Sequence, residues 1–343
     1  MDKGRDQKFM RAALNEAKKA LGWTSPNPAV GAVLVVDNRI VAKGHHRGPG
    51  HDHAEVECLR NFALPVPGEA TLYVTLEPCS TQGRTAPCTD AILRAGVRKV
   101  VIGTIDVNPR HSGKGILQLR NAGVTVREGI LTDECAQINE AFNKWILTRH
   151  PFVIAKCGMS LDGRLTRPPA ESRLITGSSA RRDAHQLRAQ VDAILVGAET
   201  VRVDNPRLTV RGVRGARQPW RVVVTRSGKL SRRAYILADR FRSQTLIYQG
   251  KSLASVFKNL GQRSVTSVLI EGGGEVLSQA LDARLIDKVQ LYLGPILTGG
   301  PVIAFAGQGF ETSASALRLR NVSYRQLGES VCITGYPDIS QRE

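Results

Sequence analysis

One histidine, one glutamate and two cysteines stand in an order that could do metal chemistry: His53-Ala54-Glu55, then Pro78-Cys79 and Cys88 within the run TLEPCSTQGRTAPC. An imidazole and two thiolates make a three-ligand zinc site with one coordination position open, which a catalytic zinc needs in order to hold water. The metal lowers the pKa of that water toward neutrality, and the hydroxide so formed can attack an amidine-like ring carbon bearing an amino group. Glu55 follows the histidine by two residues. At the start of a helix that spacing lets His53 face the metal while Glu55 reaches the water, takes its proton and passes it to the ring nitrogen and the departing ammonia. A closed zinc knuckle or buried thiols would explain a lone pair of cysteines, but not the upstream His-x-Glu, the proline before the first cysteine and the Gly-Arg between them. His45, His46 and His51 are neighbouring rivals for the metal, yet none stands two residues ahead of a glutamate.

This arrangement resembles the cytidine and nucleobase deaminase signature, H-x-E followed by P-C-x-x-C, except that eight residues separate the cysteines here. The longer loop is similar to that of the bifunctional riboflavin-pathway deaminase/reductases, whose signature is close to HAE followed by TLEPCSHxGRTPPC. Thr81 stands where that family usually has histidine, and Ala86 where it usually has proline; neither is one of the proposed ligands. The resemblance implies that Asn27, in N-P-x-V-G, and His46, in G-x-H, contact a pyrimidine. It also implies that Arg84, the basic residue of the loop, reaches a substrate phosphate.

Farther along, Gly272-Gly273-Gly274 follows the apolar run SVLIE, in a position to open a helix whose unpaired N–H groups could receive a phosphate. It is not the G-x-G-x-x-G of a dinucleotide-binding fingerprint. The segments KCGMSLDGRL, ESRLITGSSARRD, RAQVDAILVGAETVRVDNPRLTVR and IEGGGEVL occur in the order and spacing of the reductase half of the same family, so the resemblance covers nearly the whole chain. It implies a dihydrofolate-reductase-like fold in which Gly158, Leu174, Thr200, Asp204, Gly273, Gly274, Glu275, Val276 and Leu277 hold NADPH. Ser172, Arg188, Leu208, Arg211 and Glu271 would hold a phosphoribosyl substrate, and arginine suits a phosphate monoester through paired, charge-assisted hydrogen bonds. Lys156, without that resemblance, reads as a surface residue. Two positions depart from the family: Leu174 replaces a large aromatic, and Thr225-Arg226 replaces Asp-Ser, so the cofactor site is either retuned or weakened.

The elements that must position these residues alternate between strand and helix. The spacing predicts an N-terminal amphipathic helix ending near Gly22, a hairpin turning at Asp37-Asn38, a helix over 53–62, a strand over 70–75, and a helix over 88–95. A strand over 99–104, a helix over 115–122 and continuous helix over 133–148 follow. Strand-like runs then recur at 151–157, 192–199, 220–225, 244–249, 267–273, 288–294 and 330–336, with helices at 178–190 and 274–281. We expect an α/β protein: a cytidine-deaminase-like three-layer α/β/α domain over 1–149, zinc-dependent, and a dihydrofolate-reductase-like α/β domain over 150–343, NADPH-dependent.

Composition agrees with this. A chain of 343 residues, 42% hydrophobic with 33 glycines, can bury two cores and has no low-complexity tract. No apolar run approaches the length of a membrane span, and the charged N-terminal segment is unlike a signal peptide, so a cytoplasmic location is expected, with no membrane partner. Six scattered cysteines suit reduced thiols or metal ligands. The net charge of +18 favours anionic partners without choosing among them. An RNA-directed or nucleoside deaminase with an appended binding domain is the competing reading, but no nucleic-acid module or basic tail supports it. The expected partner is a small phosphoribosyl pyrimidine, with no nucleic acid and with self-association left open.

Overall fold

In the computed structural model the described residues are 3–62, 65–83, 86–165, 174–309, 312 and 316–338. The chain divides into two compact units, Met1–Arg149 and His150–Glu343.

The first unit is built on a five-stranded sheet. In chain order its elements are α1 (Lys3–Lys18), β1 (Gly31–Val36), β2 (Arg39–His45), α2 (Ala54–Arg60), β3 (Thr71–Leu76), α3 (Cys88–Arg94), β4 (Lys99–Thr104), α4 (Lys114–Asn121), β5 (Thr125–Arg127), α5 (Thr132–Gln137) and α6 (Glu140–Thr148). The strand order is β2-β1-β3-β4-β5, with β1 antiparallel to both neighbours and β3, β4 and β5 parallel. The central strands are apolar at successive positions because both faces are covered. Leu34, Leu72, Val74, Val100 and Ile102 pack with Cys58, Ile92 and Leu119 of α2, α3 and α4. The alternate residues Val33, Val35, Tyr73 and Val101 pack with Phe9, Met10, Ala13 and Leu14 of α1 and with Cys135 of α5. A three-layer α/β/α sandwich results. α2 lies directly on β2, since a Cβ at Gly44 would come within 2.4 Å of the Ala54 carbonyl oxygen and the Cys58 nitrogen. Only glycine permits that approach.

The regular part of α1 stops at Lys18, and turns carry the chain on past Gly22. The helical stretch over 133–148 is two helices rather than one. Asn139 leaves helical geometry (φ −111°, ψ 19°) because its side chain is committed elsewhere. Its Oδ1 accepts from the Ala29 N–H at 2.7 Å, and its Nδ2 donates to the Ala29 carbonyl at 3.0 Å. A side-chain amide thus completes the backbone pairing of a residue 110 positions away, ahead of β1.

The second unit contains β6 (Phe152–Ser160), α7 (Ser178–Gln190), β7 (Ala193–Gly197), α8 (Ala198–Asp204), β8 (Trp220–Thr225), α9 (Tyr235–Ala238), β9 (Thr245–Gln249), α10 (Leu253–Gln262), β10 (Ser267–Ile270), α11 (Gly274–Asp282), β11 (Lys288–Gly294), β12 (Leu319–Leu327) and β13 (Ser330–Pro337). They form one eight-stranded sheet, ordered β12-β13-β11-β6-β10-β7-β8-β9. It is parallel from β11 to β9 and antiparallel at the β12–β13 edge. Val256, Phe257 and Leu260 of α10 and Val276, Leu277 and Ala280 of α11 cover one face, against Val153, Ala155, Leu195, Val268 and Ile270. Ala180 and Ala184 of α7 pack with Tyr292 and Cys332. The strand β12 had no sequence expectation: it is an edge strand, largely exposed, so it carries no apolar alternation.

Arg221 on β8 is 1% exposed and holds the 235–245 segment. Its guanidinium pairs with both oxygens of Asp239 at 2.7 and 2.9 Å and donates to the Ile236 carbonyl at 2.8 Å and to the Thr245 hydroxyl at 3.0 Å. Removing it strands these acceptors, so Arg221→Ala should cost about 3 kcal/mol of unfolding free energy, and Arg221→Lys should recover only part of that because an ammonium cannot make the fork. Urea unfolding of the three proteins checks this; a loss below about 1 kcal/mol for the alanine variant would deny Arg221 that role.

Candidate active site

His53 caps the N-terminus of α2, Cys79 lies in the loop after β3, and Cys88 is the first residue of α3. Two helix starts and one strand end therefore deliver three donor atoms to one place. The His53 Nδ1 lies 3.1 Å from the Cys88 Sγ and 3.5 Å from the Cys79 Sγ, and the three ligand atoms all fall within 4.8 Å of one another. Tetrahedral zinc bonds of about 2.0–2.3 Å set ligand atoms roughly 3.5–3.8 Å apart, so the cluster has the scale, and the imidazole–thiolate chemistry, of a zinc site.

Protons are short in this cluster. The Cys79 thiol is pulled down to about 4 because the Cys88 thiol hydrogen-bonds to its sulfur, with His53 adding to the effect; Cys88, donating from a buried position, is pushed well up. His53 is raised by its bond to the Cys79 sulfur. Glu55, 3% exposed, is raised to about 7, chiefly by burial and then by the nearby Cys79 charge. A carboxyl poised near neutrality can both take and return a proton.

His53, Glu55 and Cys79 line a cleft of about 330 Å³ with Asn27 and His46, and Cys88 lies buried behind it. The His46 Nδ1 faces the Asp52 carbonyl at 3.0 Å and must donate to it, which leaves Nε2 to accept from the Asn27 amide at 3.1 Å. Burial lowers the His46 pKa and so favours that neutral tautomer. Phe142, Trp145 and Ile146 of α6 form an apolar wall.

Sequence reasoning passed over several residues of this cleft. Because β3 and β4 are parallel, their carboxyl ends open on the same side, and the loops after them bring Glu77, Asp106, Asn108 and His111 to the site. In the sequence Glu77 is distinguished only as part of the TLEPC run. Its buried carboxylate accepts from the backbone N–H groups of Asp106 (3.2 Å), Gly113 (2.9 Å), Gly115 (2.9 Å) and Ile116 (3.3 Å). The Asp106-Val107-Asn108-Pro109 turn, directly after a strand, was the signal that could have found the second loop: the Asn108 N–H bonds back to the Asp106 carboxylate at 2.8 Å. Arg84 lies outside the described residues.

In the second unit, Arg188 on α7 and Glu271 after β10 form a two-pronged ion pair at 2.8 and 2.5 Å, and Arg188 also donates to the Thr209 carbonyl at 3.1 Å. Burial alone would raise the Glu271 carboxyl, but Lys156 and Arg188 outweigh it and hold it down to about 2. Leu208 is buried with φ +50°, a costly conformation for a branched residue. The Arg211 N–H donates to the His185 Nδ1 at 3.2 Å, and His185 is lowered to about 4 by burial and by the cations Arg188 and Arg211. Arg188, Leu208, Arg211 and Glu271 are thus brought together, with His185 and the half-buried Lys156 added. Ser172 lies outside the described residues.

Six of the cofactor candidates, Thr200 and Gly273 through Leu277, follow the carboxyl ends of β7 and β10. The Gly273 N–H donates to the Thr200 Oγ1 at 3.1 Å, joining two of them. A Cβ at Gly274 would meet the Ile303 carbonyl oxygen at 2.0 Å, which explains the glycine at the first position of α11. Val276 and Leu277 turn their side chains into the core, so any cofactor there meets their backbone. Gly158 lies on β6, Asp204 ends α8 at the surface, and Leu174 is half exposed. Arg226 pairs with Glu275 at 2.5 Å, and the Thr225 Oγ1 accepts from the Gly228 N–H.

Residues 3–104 match the family described as the cytidine and deoxycytidylate deaminase zinc-binding region, and residues 151–333 match the RibD C-terminal domain. The fold and site therefore define a two-part α/β enzyme, a zinc-binding deaminase region followed by a reductase region. The chain is 39% identical to the riboflavin biosynthesis protein RibD of Synechocystis, over 96% of each chain, and 36% identical to that of Aquifex aeolicus, over 96% of this chain and 97% of that one. Among solved structures it is similar to Acinetobacter baumannii RibD (TM-score 0.89, 36% identity, covering 98% and 99% of the two chains). It is also similar to a Thermotoga maritima diaminohydroxyphosphoribosylaminopyrimidine deaminase/5-amino-6-(5-phosphoribosylamino)uracil reductase (TM-score 0.89, 35% identity, with the same coverage). The chain belongs to the RibD family, the bifunctional deaminase/reductases of riboflavin biosynthesis. Among the described residues no helix is long and apolar enough to cross a membrane.

A test of the cluster follows from its proton shortage. In metal-free protein at pH 6, above the Cys79 value of about 4, Cys79 is a thiolate, whereas Cys58, Cys135 and Cys157, pushed up to about 12 by burial, stay protonated. Iodoacetamide should label Cys79 at least about tenfold faster than those three, and added zinc should suppress it, as read by peptide mass spectrometry. Equal labelling of all four would remove the assigned proton distribution.

Proposed function

We propose that the chain deaminates 2,5-diamino-6-(5-phosphoribosylamino)pyrimidin-4(3H)-one and then, with NADPH, reduces the ribosyl chain of the resulting uracil to ribityl. The observation that carries this reading is the convergence of His53, Cys79, Cys88 and Glu55 at one cleft lined by Asn27 and His46.

His53, Cys79 and Cys88 are the residues that would hold zinc. When bound, zinc supplies a Lewis acid that acidifies water at neutral pH. Glu55 takes one proton from the attacking water and delivers it to the ring nitrogen, then takes the second from the hydroxyl on the ring carbon and delivers it to the amino group, which leaves as ammonia while the carbonyl forms, a cycle suited to a carboxyl near 7. Asn27, oriented by neutral His46, offers its amide to the ring edge, and the α6 wall excludes water. In the second unit, among the described residues, Lys156, Arg188 and Arg211 lie around the Glu271 carboxylate, with His185, lowered to about 4, neutral beside them. That excess of positive charge favours an anion such as the substrate phosphate. Arg188 is already engaged by Glu271, so Arg211, exposed and depressed by burial and by its arginine neighbours, is the cation with most to gain. Leu208 belongs to this substrate side, and Ser172, outside the described residues, is assigned to it by the resemblance alone. The Thr200–Gly273 junction, with Gly158, Leu174, Asp204 and the first turn of α11 from Gly274 through Glu275 to Leu277, forms the NADPH side. Of its amides, those of Val276 and Leu277 already donate to the Gly273 carbonyl, so those of Gly274 and Glu275 are the ones left to receive a phosphate.

Mass spectrometry of products from the diaminopyrimidine phosphoribosyl substrate should show the deaminated product alone without NADPH and its ribityl form when NADPH is added. Deamination without any reduction would remove the reductase half of the proposal. Glu55→Ala should abolish deamination while zinc stays bound, since Glu55 is not a ligand; activity within about tenfold of wild type would overturn its role. Arg211→Ala should raise the KM of reduction about tenfold or more, the scale of one charge-assisted hydrogen bond, with deamination unaltered. An equal loss in both reactions would reject it as a phosphate contact.

A further inference from the structure

The deaminase cleft continues outward into a second, wider space of about 730 Å³ that shares Asn27, His46, His53, Cys79 and His111 with the inner one. The two halves differ in charge. The inner half is lined by Glu55, Glu77 and Asp106, whereas the outer half carries His51, Arg110, His111 and Lys114 and, among the described residues, no acid. Arg110 and Lys114 are exposed, and neither side chain enters an ion pair among the described residues. Arg110 sits on the loop after β4 and Lys114 is the first residue of α4, and Glu77 clamps this loop and helix start through its four backbone hydrogen bonds. That clamp also decides what kind of anion site the mouth can be. The first amides of α4, at Gly115 and Ile116, are taken up by the Glu77 carboxylate, so the helix end is already neutralised and an incoming anion must be met by side chains. Across the opening the His111 Nδ1 lies 3.3 Å from the Thr81 Oγ1, joining this loop to the one that carries Cys79. An imidazole carried by position 81 would therefore reach nearly the spot that His111 reaches from the facing loop.

The geometry points to Arg110, His111 and Lys114 as a phosphomonoester-binding set at the mouth of the deaminase cleft, contributed by the β4–α4 loop and the first residue of α4. This rests on the phosphorylated pyrimidine assigned above. The polarity of the cleft then orients the substrate: the amino-bearing ring enters toward Glu55, and the phosphate stays among the bases. Each charge-assisted contact contributes about tenfold in affinity.

The test compares deamination of the phosphorylated substrate with that of its dephosphorylated counterpart in the zinc-loaded full chain. Arg110→Ala/Lys114→Ala, at two exposed positions, should lower the ratio of the two kcat/KM values about 30-fold or more, through KM for the phosphorylated substrate, and ribose 5-phosphate should weaken as a competitive inhibitor in parallel. His111→Val should lower the same ratio, and Thr81→His added to it should restore the ratio; a merely structural role for His111 would not be rescued from across the cleft. A wild-type ratio in the double variant, or a His111 loss that Thr81→His leaves unrepaired, overturns the assignment even though deamination proceeds. Calorimetric binding of ribose 5-phosphate to wild type and double variant reads the same site without turnover. Equal binding by both overturns the phosphate set, whereas failure of wild type to deaminate either compound instead sinks the function assigned above.

Discussion

Two sulfurs and an imidazole held within 4.8 Å, with a buried carboxyl beside them, form an arrangement that a protein interior resists unless a cation completes it. The proton distribution records that tension: Cys79 is driven toward thiolate, Cys88 away from it, and Glu55 toward neutrality. The architecture of the first unit serves to hold these groups against it. α2 is pressed onto β2 at Gly44, which places His53 and Glu55; β3 ends at Leu76, which places the loop of Cys79; and α3 begins at Cys88 itself. Asn139, by pairing with Ala29 ahead of β1, secures the segment that presents Asn27 and breaks a helix in doing so.

The same principle recurs in the second unit with the charges reversed. There one carboxylate, Glu271, lies in the company of several cations, and its pKa is depressed where burial alone would have raised it. In both units the chemically useful groups follow the carboxyl ends of parallel strands: Glu77 after β3, Asp106 after β4 and Glu271 after β10. Within each sheet, parallel strands open such loops on one side, so residues of that unit far apart in sequence become neighbours without long excursions of chain.

The inner and outer halves of the deaminase cleft show how one residue can organise both. Glu77 spends its carboxylate on backbone amides rather than on a ligand, and so fixes a loop that carries acid and amide groups inward and basic groups outward. A mobile loop would present the same side chains at a larger entropic cost on binding.

Local spacing was enough to pick out His53, Cys79 and Cys88, which the fold brings together, with Glu55 beside them, and to read the alternation of strands and helices and the helix from Ser178 to Gln190, because each depends on residues close in sequence. The resemblance of motifs extended that to the two-part α/β architecture. Tertiary structure alone decided the rest. That the helix over 133–148 breaks at Asn139 depends on a partner 110 positions away; that β12 is a strand depends on β13 beside it; and that Lys156 joins a charged cluster depends on Glu271 and His185. Glu77 and His111 are polar residues of ordinary loops until folding brings amides to the first and Thr81 to the second. Periodicity encodes which face of an element is buried, but the partner that each polar group finds there is set by chain crossings that no local pattern records.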